Sequence, residues 1–543
     1  MTGMIDHLII VPILLPLVSG AVMLLLNERR RFLKGAIGSA TTFALLIVSI
    51  ALLRQADLPA AGPDGSAVTV YRLGNWPAPF GIVLVLDRLA ALMLVLTSVL
   101  GITSLLYSLA RWHRAGPRFH TIFQLQLMGL NGAFLTGDLF NLFVFFEVLL
   151  AASYGLVLHG DGVGRVRAGL AYIAINLTGS FLFLIGASLA YGVAGTLNIA
   201  DLAHRVPALA PGDAALFAAA AAVLGAAFLM KAGAWPLNFW LPTTYAAASA
   251  PAAAIFAIMS KLGVYVILRL WTLVFGPDAG SLAGFGGNGL LVIGMLTMVF
   301  GTVGVLASQT LSRLAGCSVL ISSGTVLAAI STGGGAVIGS ALFYLVSSTL
   351  GLAALFLLVE LVERLRGPGA DVLAVTMEAY GEDEDEGDDK EIGVAIPATV
   401  ALLGGSFIAC ALLLAGLPPL SGFIGKFGMM AAMLRSEGGT VQISTWLLIG
   451  LLTISGLATL IAMTRTGINS FWARMDDSVP RVRVIEMAPV LTLLLICLGL
   501  TIGGGPAMRY MEATTQALRA PQDYVTGVLS APMPGSNGGE VRP

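Results

Sequence analysis

Long apolar runs follow one another along almost the whole chain and are separated by short polar segments. A transmembrane helix needs about twenty apolar residues to cross roughly 30 Å of hydrocarbon. By that measure the pattern predicts about fourteen transmembrane helices, and therefore an all-α polytopic membrane protein. The predicted spans, numbered 1 to 14, are 5–26, 33–53, 82–110, 119–136, 139–158, 167–192, 213–232, 245–274, 287–307, 314–331, 337–362, 393–416, 442–464 and 485–504.

Composition supports a membrane protein and argues against other classes. Of the 543 residues, 57% are hydrophobic and only 11% are charged, whereas about 25% of a soluble chain is charged. The net charge of −1 gives no sign of a nucleic-acid partner. The three cysteines are far apart in apolar segments, and we find no dinucleotide fingerprint or phosphate-binding loop. No cofactor, metal site or enzyme activity is predicted.

Basic residues in the loops predict the orientation of the chain. With the N-terminus outside, the six loops on the cytoplasmic side carry 17 Lys and Arg residues, and the outside segments carry 7. Cytoplasmic loops are enriched in Lys and Arg. The asymmetry therefore predicts that both termini lie outside, with an even number of helices.

The spans divide the chain into four predicted regions. Residues 1–118 hold helices 1–3, and residues 119–275 hold helices 4–8. Residues 276–465 hold helices 9–13 and a cytoplasmic loop, 367–392, which contains the acidic run "EDEDEGDDKE". Residues 466–543 hold helix 14 and a polar C-terminal tail, predicted to be peripheral. The acidic loop reads most simply as a solvated linker.

A few charges fall inside the predicted spans. Near the start of predicted helix 3, Arg88 is expected to pair with its neighbour Asp87 at the membrane interface. Arg269 lies near the end of predicted helix 8 and is expected to extend towards the interface or to pair with a loop group. These three residues need no functional explanation.

Four charges lie too deep to be explained in that way. Glu147 is near the centre of "GDLFNLFVFFEVLLAASYGLV" (137–157), and Lys231, Lys261 and Lys426 are each flanked by apolar sequence on both sides. A charge at mid-membrane costs several kcal/mol unless another group compensates for it. One carboxylate and three amines in the membrane interior therefore predict an ion pathway. Asp138, just before the span of Glu147, is placed at its entrance.

Two of the lysines lie beside predicted helix breaks. Gly and Pro residues follow Lys231 and precede Lys426: Gly233, Pro236, Gly416, Pro418, Pro419 and Gly422. Pro and Gly interrupt the helical hydrogen-bond ladder, and such breaks in two halves of a chain point to a transport site. Predicted helices 7 and 12 should thus be discontinuous. Because they are five helices apart, helices 4–8 and 9–13 should form an inverted repeat.

Each of these features has a structural explanation on its own. Proline is common in membrane helices, a lysine near a helix end often extends to the interface, and a neighbouring hydroxyl could satisfy Glu147. The combination favours a proton pathway over any one of these explanations.

Three stretches resemble a known family. "DLFNLFVFFEVLLAASYGLVLHG", "KAGAWPLNFWLPTTYAAASAPAAAIFAIMSKLGVYVILR" and "AGLPPLSGFIGKF" are similar to the antiporter-like membrane subunits shared by respiratory complex I and the Mrp cation/proton antiporters. The resemblance covers roughly 85–465 and is strongest to the D-type subunits of the Mrp (Pha, Mnh) systems. It implies fourteen helices with two inverted five-helix repeats. It also implies a bacterial cytoplasmic membrane location and partner subunits of a hetero-oligomeric complex, with membrane lipid around it.

The resemblance also implies roles for residues. The family's proton-transfer positions on helices 5, 7, 8 and 12 fall on Glu147, Lys231, Lys261 and Lys426. Where many relatives carry histidine or lysine on helix 11, this chain has only hydroxyls, among them Tyr344, Ser347 and Ser348. Of the Asp-x-Lys-Arg-like start of helix 10, only Arg313 remains. We therefore expect protons to pass from Lys261 to Lys426 through hydroxyls and water.

The predicted function is proton translocation coupled to export of Na⁺, K⁺ or Li⁺. A buried lysine beside a carboxylate keeps its proton because the ion pair offsets desolvation, so Glu147 is predicted to switch the proton on Lys231. The cation site is expected to involve partner subunits. Two other interpretations stay open: a proton-pumping subunit of complex I or a membrane hydrogenase, and a non-conducting scaffold subunit.

Overall fold

Helices make up most of the protein in the computed structural model, which describes residues 7–58, 68–160, 162–364, 398–435, 442–471 and 482–529. The acidic loop predicted at 367–392 and the last residues of the tail lie outside this part. The α-helices of eight or more residues are α1 Val11–Leu25, α2 Arg31–Asp57, α3 Arg88–Ser108, α4 Phe119–Leu135, α5 Leu139–Val157, α6 Val163–Ala194, α7a Pro211–Ala232, α7b Trp240–Ala247, α8 Ala250–Leu273, α9 Gly287–Ala307, α10 Leu311–Ser331, α11 Gly335–Glu363, α12a Ala398–Ala415, α12b Ser421–Leu434, α13 Ile443–Phe471, α14 Val484–Ile502, α15 Gly504–Arg519 and α16 Pro521–Leu529. A shorter helix, Ile199–Arg205, lies between α6 and α7a.

The predicted membrane fold is confirmed. Thirteen helices of the described residues are long and apolar enough to cross a membrane. The remaining predicted span, α4, has 17 residues and carries buried polar side chains, Gln124, Gln126 and Asn131. This helix is therefore shorter and more polar than the thirteen spans. It nevertheless packs among them, against α1 and α5.

One predicted span starts too early. Residues Val83–Leu86 form a β-strand, β2, that pairs antiparallel with β1, Thr69–Arg72. Helix α3 begins only at Arg88, where the Asp87 carboxylate accepts a hydrogen bond from the Ala90 amide and caps the helix. A run of Val and Leu suits a buried strand as well as a helix, so hydrophobicity alone did not separate them. The described residues are otherwise helical or irregular.

The five-helix units α4–α8 and α9–α13 have matching organisation. In both units the first two helices pack on each other and the fourth helix is broken. Corresponding helices are five spans apart and so cross the membrane in opposite directions, which is the inverted repeat that the sequence predicted. Helices α8 and α11 are buried along their spans and pack on each other at the centre, and α10, nearly as buried, packs on α11. The predicted region boundary at 465 falls inside α13.

The two broken helices share one local design. The sequence A-G-x-x-P-L occupies both breaks, at 232–237 and at 415–420. Gly233 and Gly416 have φ of +69° and +76°, a left-handed conformation that glycine adopts without steric cost and that ends a helix. The helix ends there, and the Pro that follows disfavours its continuation. The predicted discontinuities in helices 7 and 12 are confirmed.

The second half of the first broken helix was placed incorrectly. Residues 240–247 form α7b, and α8 begins only at Ala250. The predicted start of helix 8 at residue 245 is therefore too early. The break itself is tied to the second repeat, because the Trp235 amide donates to the Thr297 hydroxyl on α9 at 2.9 Å. The first broken helix therefore contacts both repeats.

We define the N-terminal face as the side where α1 begins and the opposite face as the side where it ends. At the N-terminal face, Asp87 pairs with Arg269 of α8, and one of the two contacts measures 2.9 Å. The predicted pairing of Asp87 with Arg88 is wrong, because Arg88 reaches Asp57 at 3.3 Å instead. Adjacent residues in an extended-to-helical junction point in different directions, so sequence neighbours need not meet. Tyr524 of α16 lies over the Arg269 guanidinium, 5.5 Å from its ring centroid.

The C-terminal tail is thus less peripheral than predicted over its described part. Helix α15 packs on α11 and α8, and the Tyr510 hydroxyl donates to the Arg88 carbonyl at 2.9 Å. At the opposite face, Arg364 bridges Glu360 and Glu486, and Trp112 donates to Glu360 at 2.7 Å. Charged networks therefore fasten helix ends at both faces.

Breaking the buried pair at the N-terminal face should destabilise the protein strongly. Arg269→Met leaves the Asp87 carboxylate buried without its cation, and such a loss costs about 3–5 kcal/mol. We expect a lower thermal unfolding temperature of the purified protein in detergent, with partial recovery in the double variant Asp87→Asn/Arg269→Met. Arg88→Ala is the control, because that exposed pair contributes at most about 1 kcal/mol. Equal stability of Arg269→Met and wild type would contradict the assignment.

The second break should tolerate no side chain at Gly422. A Cβ there would lie 2.1 Å from the Leu413 carbonyl oxygen, whereas a Cβ at Gly405 meets nothing within 4 Å. Gly422→Ala should therefore cost about 1–3 kcal/mol or more through overpacking. Gly405→Ala in α12a is the matched control and should stay within about 1 kcal/mol of wild type. Thermal unfolding of both variants tests the difference, and similar effects would contradict a tight crossing.

Candidate proton-transfer site

The four deep charges predicted from the sequence lie on four helices inside the two repeats. Glu147 is on α5, Lys231 on α7a, Lys261 on α8 and Lys426 on α12b. The lysine side chains are buried, with exposed fractions of 5%, 0% and 3% in chain order, and Glu147 is half-buried.

Glu147 is bound to a serine that the sequence did not single out. The Ser180 hydroxyl of α6 donates to Glu147 Oε1. Ser180 also lies 3.2 Å from the Asn176 carbonyl oxygen, one helical turn earlier. A neighbouring hydroxyl was one of the possible partners for Glu147, but nothing in the sequence identified which one.

The Lys231 ammonium makes no hydrogen bond within the described part of the chain. Its Nζ is buried and finds no hydrogen-bond acceptor among the described residues. It lies 4.9 Å from the centroid of the Phe146 ring, which is adjacent to Glu147 in sequence. Among the described residues, no hydrogen bond joins this ammonium to the Glu147 carboxylate. The aromatic ring, whose face carries partial negative charge, is the group that contacts the cation.

Aromatic side chains surround this contact. Phe183 and Phe228 have ring centroids 5.0 Å apart, and each also packs against Phe146. These rings fill the space between α5, α6 and α7a. Lys231 therefore sits in an apolar, water-poor environment in which its charge depends on the few groups nearby.

Lys261 has one direct partner. Its Nζ donates to the Ser323 hydroxyl of α10 at 3.0 Å. Ser323 was not among the predicted site residues. A serine on an apolar helix gives no sequence signal, since its hydroxyl usually bonds to its own helix backbone.

Further hydroxyls follow in the direction of Lys426. The hydroxyls of Ser322 on α10 and Ser348 on α11 are 2.8 Å apart. Tyr344 lies one helical turn before Ser348 on α11. Lys426 Nζ lies 5.9 Å from the centroid of the Tyr344 ring. Ser322 and Ser348 thus join α10 to α11, and the ring of Tyr344 lies beside Lys426.

Ser347 has a different partner. Its hydroxyl is 2.7 Å from that of Ser421, the first residue of α12b. Ser421 follows the break that contains Pro418 and Pro419, while Pro236 lies in the corresponding break of α7. Ser347 therefore joins α11 to the second break, whereas Ser348 joins α11 to α10.

Lys426 is held by the end of the broken helix. Its Nζ donates to the Leu414 carbonyl at 3.2 Å and to the Ala415 carbonyl at 2.9 Å. These carbonyls belong to the last turn of α12a, where they lack intrahelical donors and form the negative end of the helix dipole. Gly416 makes room, because a Cβ there would lie 2.5 Å from Lys426 Cδ.

Asp138 lies away from this set. It caps α5 at the N-terminal face, where its carboxylate accepts from the Asn141 amide at 2.9 Å. Burial raises the pKa of Asp138. It is nine residues before Glu147 on the same helix, roughly 13 Å along the axis. Its contacts are those of a helix cap, and its role as an entrance group stays a prediction.

A cation cage of carboxylates is not formed by the described residues, where no group of three or more His, Cys, Asp or Glu is placed to hold a metal ion. What the arrangement supplies is one carboxylate, three amines and several hydroxyls inside a membrane fold. The chemistry open to such groups is the exchange of protons.

Comparison with known proteins places this geometry in a family. Residues 136–458 match the family model described as NADH:quinone oxidoreductase/Mrp antiporter, transmembrane. The chain is 58% identical, over 99% of its length and 100% of the relative, to the D subunit of a probable K(+)/H(+) antiporter of Rhizobium meliloti (strain 1021). It is 32% identical, over 96% of its length and 99% of the relative, to the D subunit of a Na(+)/H(+) antiporter of Alkalihalophilus pseudofirmus.

Solved structures agree with the sequence comparison. A chain of the Mrp complex from Dietzia sp. DQ12-45-1b matches with a TM-score of 0.81 and 25% identity, covering 96% of this chain and 99% of that one. Respiratory complex I from Thermus thermophilus contains a similar fold, with a TM-score of 0.73 and 22% identity over 94% and 99% of the chains. The curated relatives are transporter subunits and not enzymes. The chain belongs to the NADH:quinone oxidoreductase/Mrp antiporter family of membrane proteins, as an antiporter subunit of the D type.

Proposed function

We propose that this chain is the proton-translocating subunit of a multisubunit monovalent cation/proton antiporter in a bacterial cytoplasmic membrane, with both termini outside. The observation that carries the proposal is the series of three buried lysines, one carboxylate and intervening hydroxyls. Buried ionisable groups inside a membrane are costly and mark ion pathways. The distribution of basic residues supports the orientation, in which the N-terminal face is the outer one.

The carboxylate and the first lysine form the switch. Lys231 keeps its proton when the Glu147 carboxylate pairs with it, and it loses this support when the carboxylate moves to another partner. In the structure Glu147 is bound to Ser180, and Lys231 has no hydrogen-bond partner among the described residues. This arrangement supports a state in which Lys231 is ready to pass its proton through water towards Lys261.

Hydroxyls carry the proton through the second half. The Ser323 hydroxyl accepts the hydrogen bond from Lys261, so it takes up a proton from the ammonium as it gives its own proton onward. Ser322, Ser348 and Tyr344 continue the series, with water bridging the remaining gaps. Lys426 receives the proton and is stabilised as an ammonium by the two carbonyls of α12a. The direction of net movement is set by the proton gradient.

The exchanged cation is proposed to be K⁺ or Na⁺. The relative with 58% identity is named for K⁺ and the one with 32% identity for Na⁺, so K⁺ is the first cation to test. Because the described residues form no cage of oxygen ligands with carboxylates, we place the cation path at contacts with other subunits of the complex. Lipid covers the remaining apolar surface.

A redox-driven proton pump uses the same fold and is the second candidate. The similarity to complex I at 22% identity supports the fold alone, while the relatives of the D type favour the antiporter. A non-conducting scaffold is disfavoured, because a scaffold gains nothing from three lysines buried in its interior. The presence or absence of a redox cofactor in the purified complex separates the first two functions.

Neutralising the switch should abolish exchange. Glu147→Gln removes the charge that controls Lys231, and Lys231→Met removes the proton carrier, so K⁺/H⁺ and Na⁺/H⁺ exchange in everted vesicles should fall to the level of vesicles that lack the complex. Asp213→Asn, on the exposed start of α7a, is the matched control and should retain exchange. Assembly of the complex is checked by co-purification. Exchange retained by both switch variants would refute the proposal.

Interrupting the hydroxyl series should slow transport without removing a charge. Ser323→Ala deletes the acceptor of Lys261, and Tyr344→Phe deletes a hydroxyl while keeping the ring beside Lys426. Each should lower the exchange rate about tenfold, the equivalent of one hydrogen bond of about 1.4 kcal/mol. Ser318→Ala is the control on α10, since that hydroxyl bonds to the Leu314 carbonyl of its own helix, at 2.9 Å. Wild-type rates in both variants would exclude the hydroxyls as carriers.

A further inference from the structure

We infer that Ser180 is the positioning residue that holds Glu147 away from Lys231, so that the switch has two defined states. The inference rests on the proposed function and names Ser180 as a second partner of the Glu147 carboxylate. The observation is that Glu147 is bound to a hydroxyl on α6 while the buried ammonium of Lys231 has no hydrogen-bond partner among the described residues. A carboxylate with two competing partners can alternate between them, whereas one with a single partner cannot.

Ser180 is fixed in place by its surroundings. It is 3% exposed, and its hydroxyl lies near the Asn176 carbonyl as well as Glu147. Asn176 in turn donates to the Tyr172 carbonyl at 2.9 Å, and the Tyr172 hydroxyl is 2.8 Å from that of Ser153 on α5. Tyr172, Asn176 and Ser180 recur every four positions along α6 and therefore share one helix face. We call these three residues, together with Ser153 of α5, the polar seam. The serine that binds Glu147 is the last member of the polar seam that joins α6 to α5.

Lys231 is able to stand without a hydrogen-bond partner because of the ring beside it. The Phe146 face, 4.9 Å from Nζ, attracts a cation but accepts no proton. Phe146 and Glu147 are consecutive on α5, so the ring stays near the lysine when the carboxylate turns to Ser180. The ammonium is thereby held at a fixed place in both states, and only the carboxylate moves.

The two states differ in how firmly the proton is held. With Glu147 on Lys231, the ion pair favours the charged amine; with Glu147 on Ser180, that support is weaker and the proton is released more readily. Removing the Ser180 hydroxyl leaves the carboxylate only its lysine partner. The paired state then dominates, and Lys231 releases its proton only at higher pH.

The test compares three serine variants in the intact complex. Ser180→Ala should lower the turnover of exchange at least about tenfold, because a hydrogen bond to a charged group is lost from one state only, and it should move the pH profile of activity upward. Ser180→Thr keeps a hydroxyl and should restore rate and profile. Ser153→Ala removes a hydroxyl from the same seam without touching Glu147 and should leave the profile unchanged.

The outcomes separate this inference from the proposed function. Wild-type turnover and pH profile in Ser180→Ala would overturn the inference, as would equal damage from Ala and Thr, which would show a packing role. A shifted profile in Ser153→Ala equal to that of Ser180→Ala would also overturn it, since the effect would belong to the seam as a whole. Glu147→Gln tests the proposed function separately: if that variant still exchanges, the switch itself is wrong, whatever Ser180 does.

Discussion

The cost of burying ammonium groups in a membrane is the constraint on which the rest of the structure depends. Each of the three lysines is excluded from water, and each is stabilised differently: Lys231 by an aromatic face, Lys261 by a hydroxyl, and Lys426 by two helix-end carbonyls. None of these partners neutralises the charge. Weak, neutral partners leave the proton exchangeable, whereas a permanent ion pair would fix it. Asp87 and Arg269 differ from these lysines, because they form a complete ion pair at the N-terminal face that joins the start of α3 to α8.

The broken helices show how one local design serves two purposes. The same A-G-x-x-P-L sequence ends both first halves, yet the lysines lie on different sides of the breaks. Lys231 precedes its break and lies beside Phe146 of α5. Lys426 follows its break and folds back onto the carbonyls of α12a. The two repeats thus contain similar broken helices that place their lysines differently. In the proposed function, this difference makes the first lysine part of a switch and the second the end of the proton path.

The absence of histidine or lysine from helix 11 changes the chemistry of the second half. In the proposed function, Tyr344 and the neighbouring serines pass a proton on without a charged group, because their hydroxyls both donate and accept. Dense burial of α8, α10 and α11 keeps these hydroxyls in contact across helices. The charged networks fix one end of α8 and one end of α11, at opposite faces.

The sequence by itself determined what is local. Hydrophobic length defined the spans, apolar flanks identified Glu147, Lys231, Lys261 and Lys426 as deep charges, and Gly and Pro located both breaks, because each of these effects depends only on residues within one helix. It failed where the partner lies on another helix: Ser180 for Glu147, Ser323 for Lys261, and Asp87 for Arg269. Many serines and threonines here, such as Thr42, Ser318 and Thr349, bond to their own helix backbone, so a serine that binds a charge looks no different in sequence. Only the tertiary structure, by bringing helices within hydrogen-bond reach, decided which hydroxyls meet which charges.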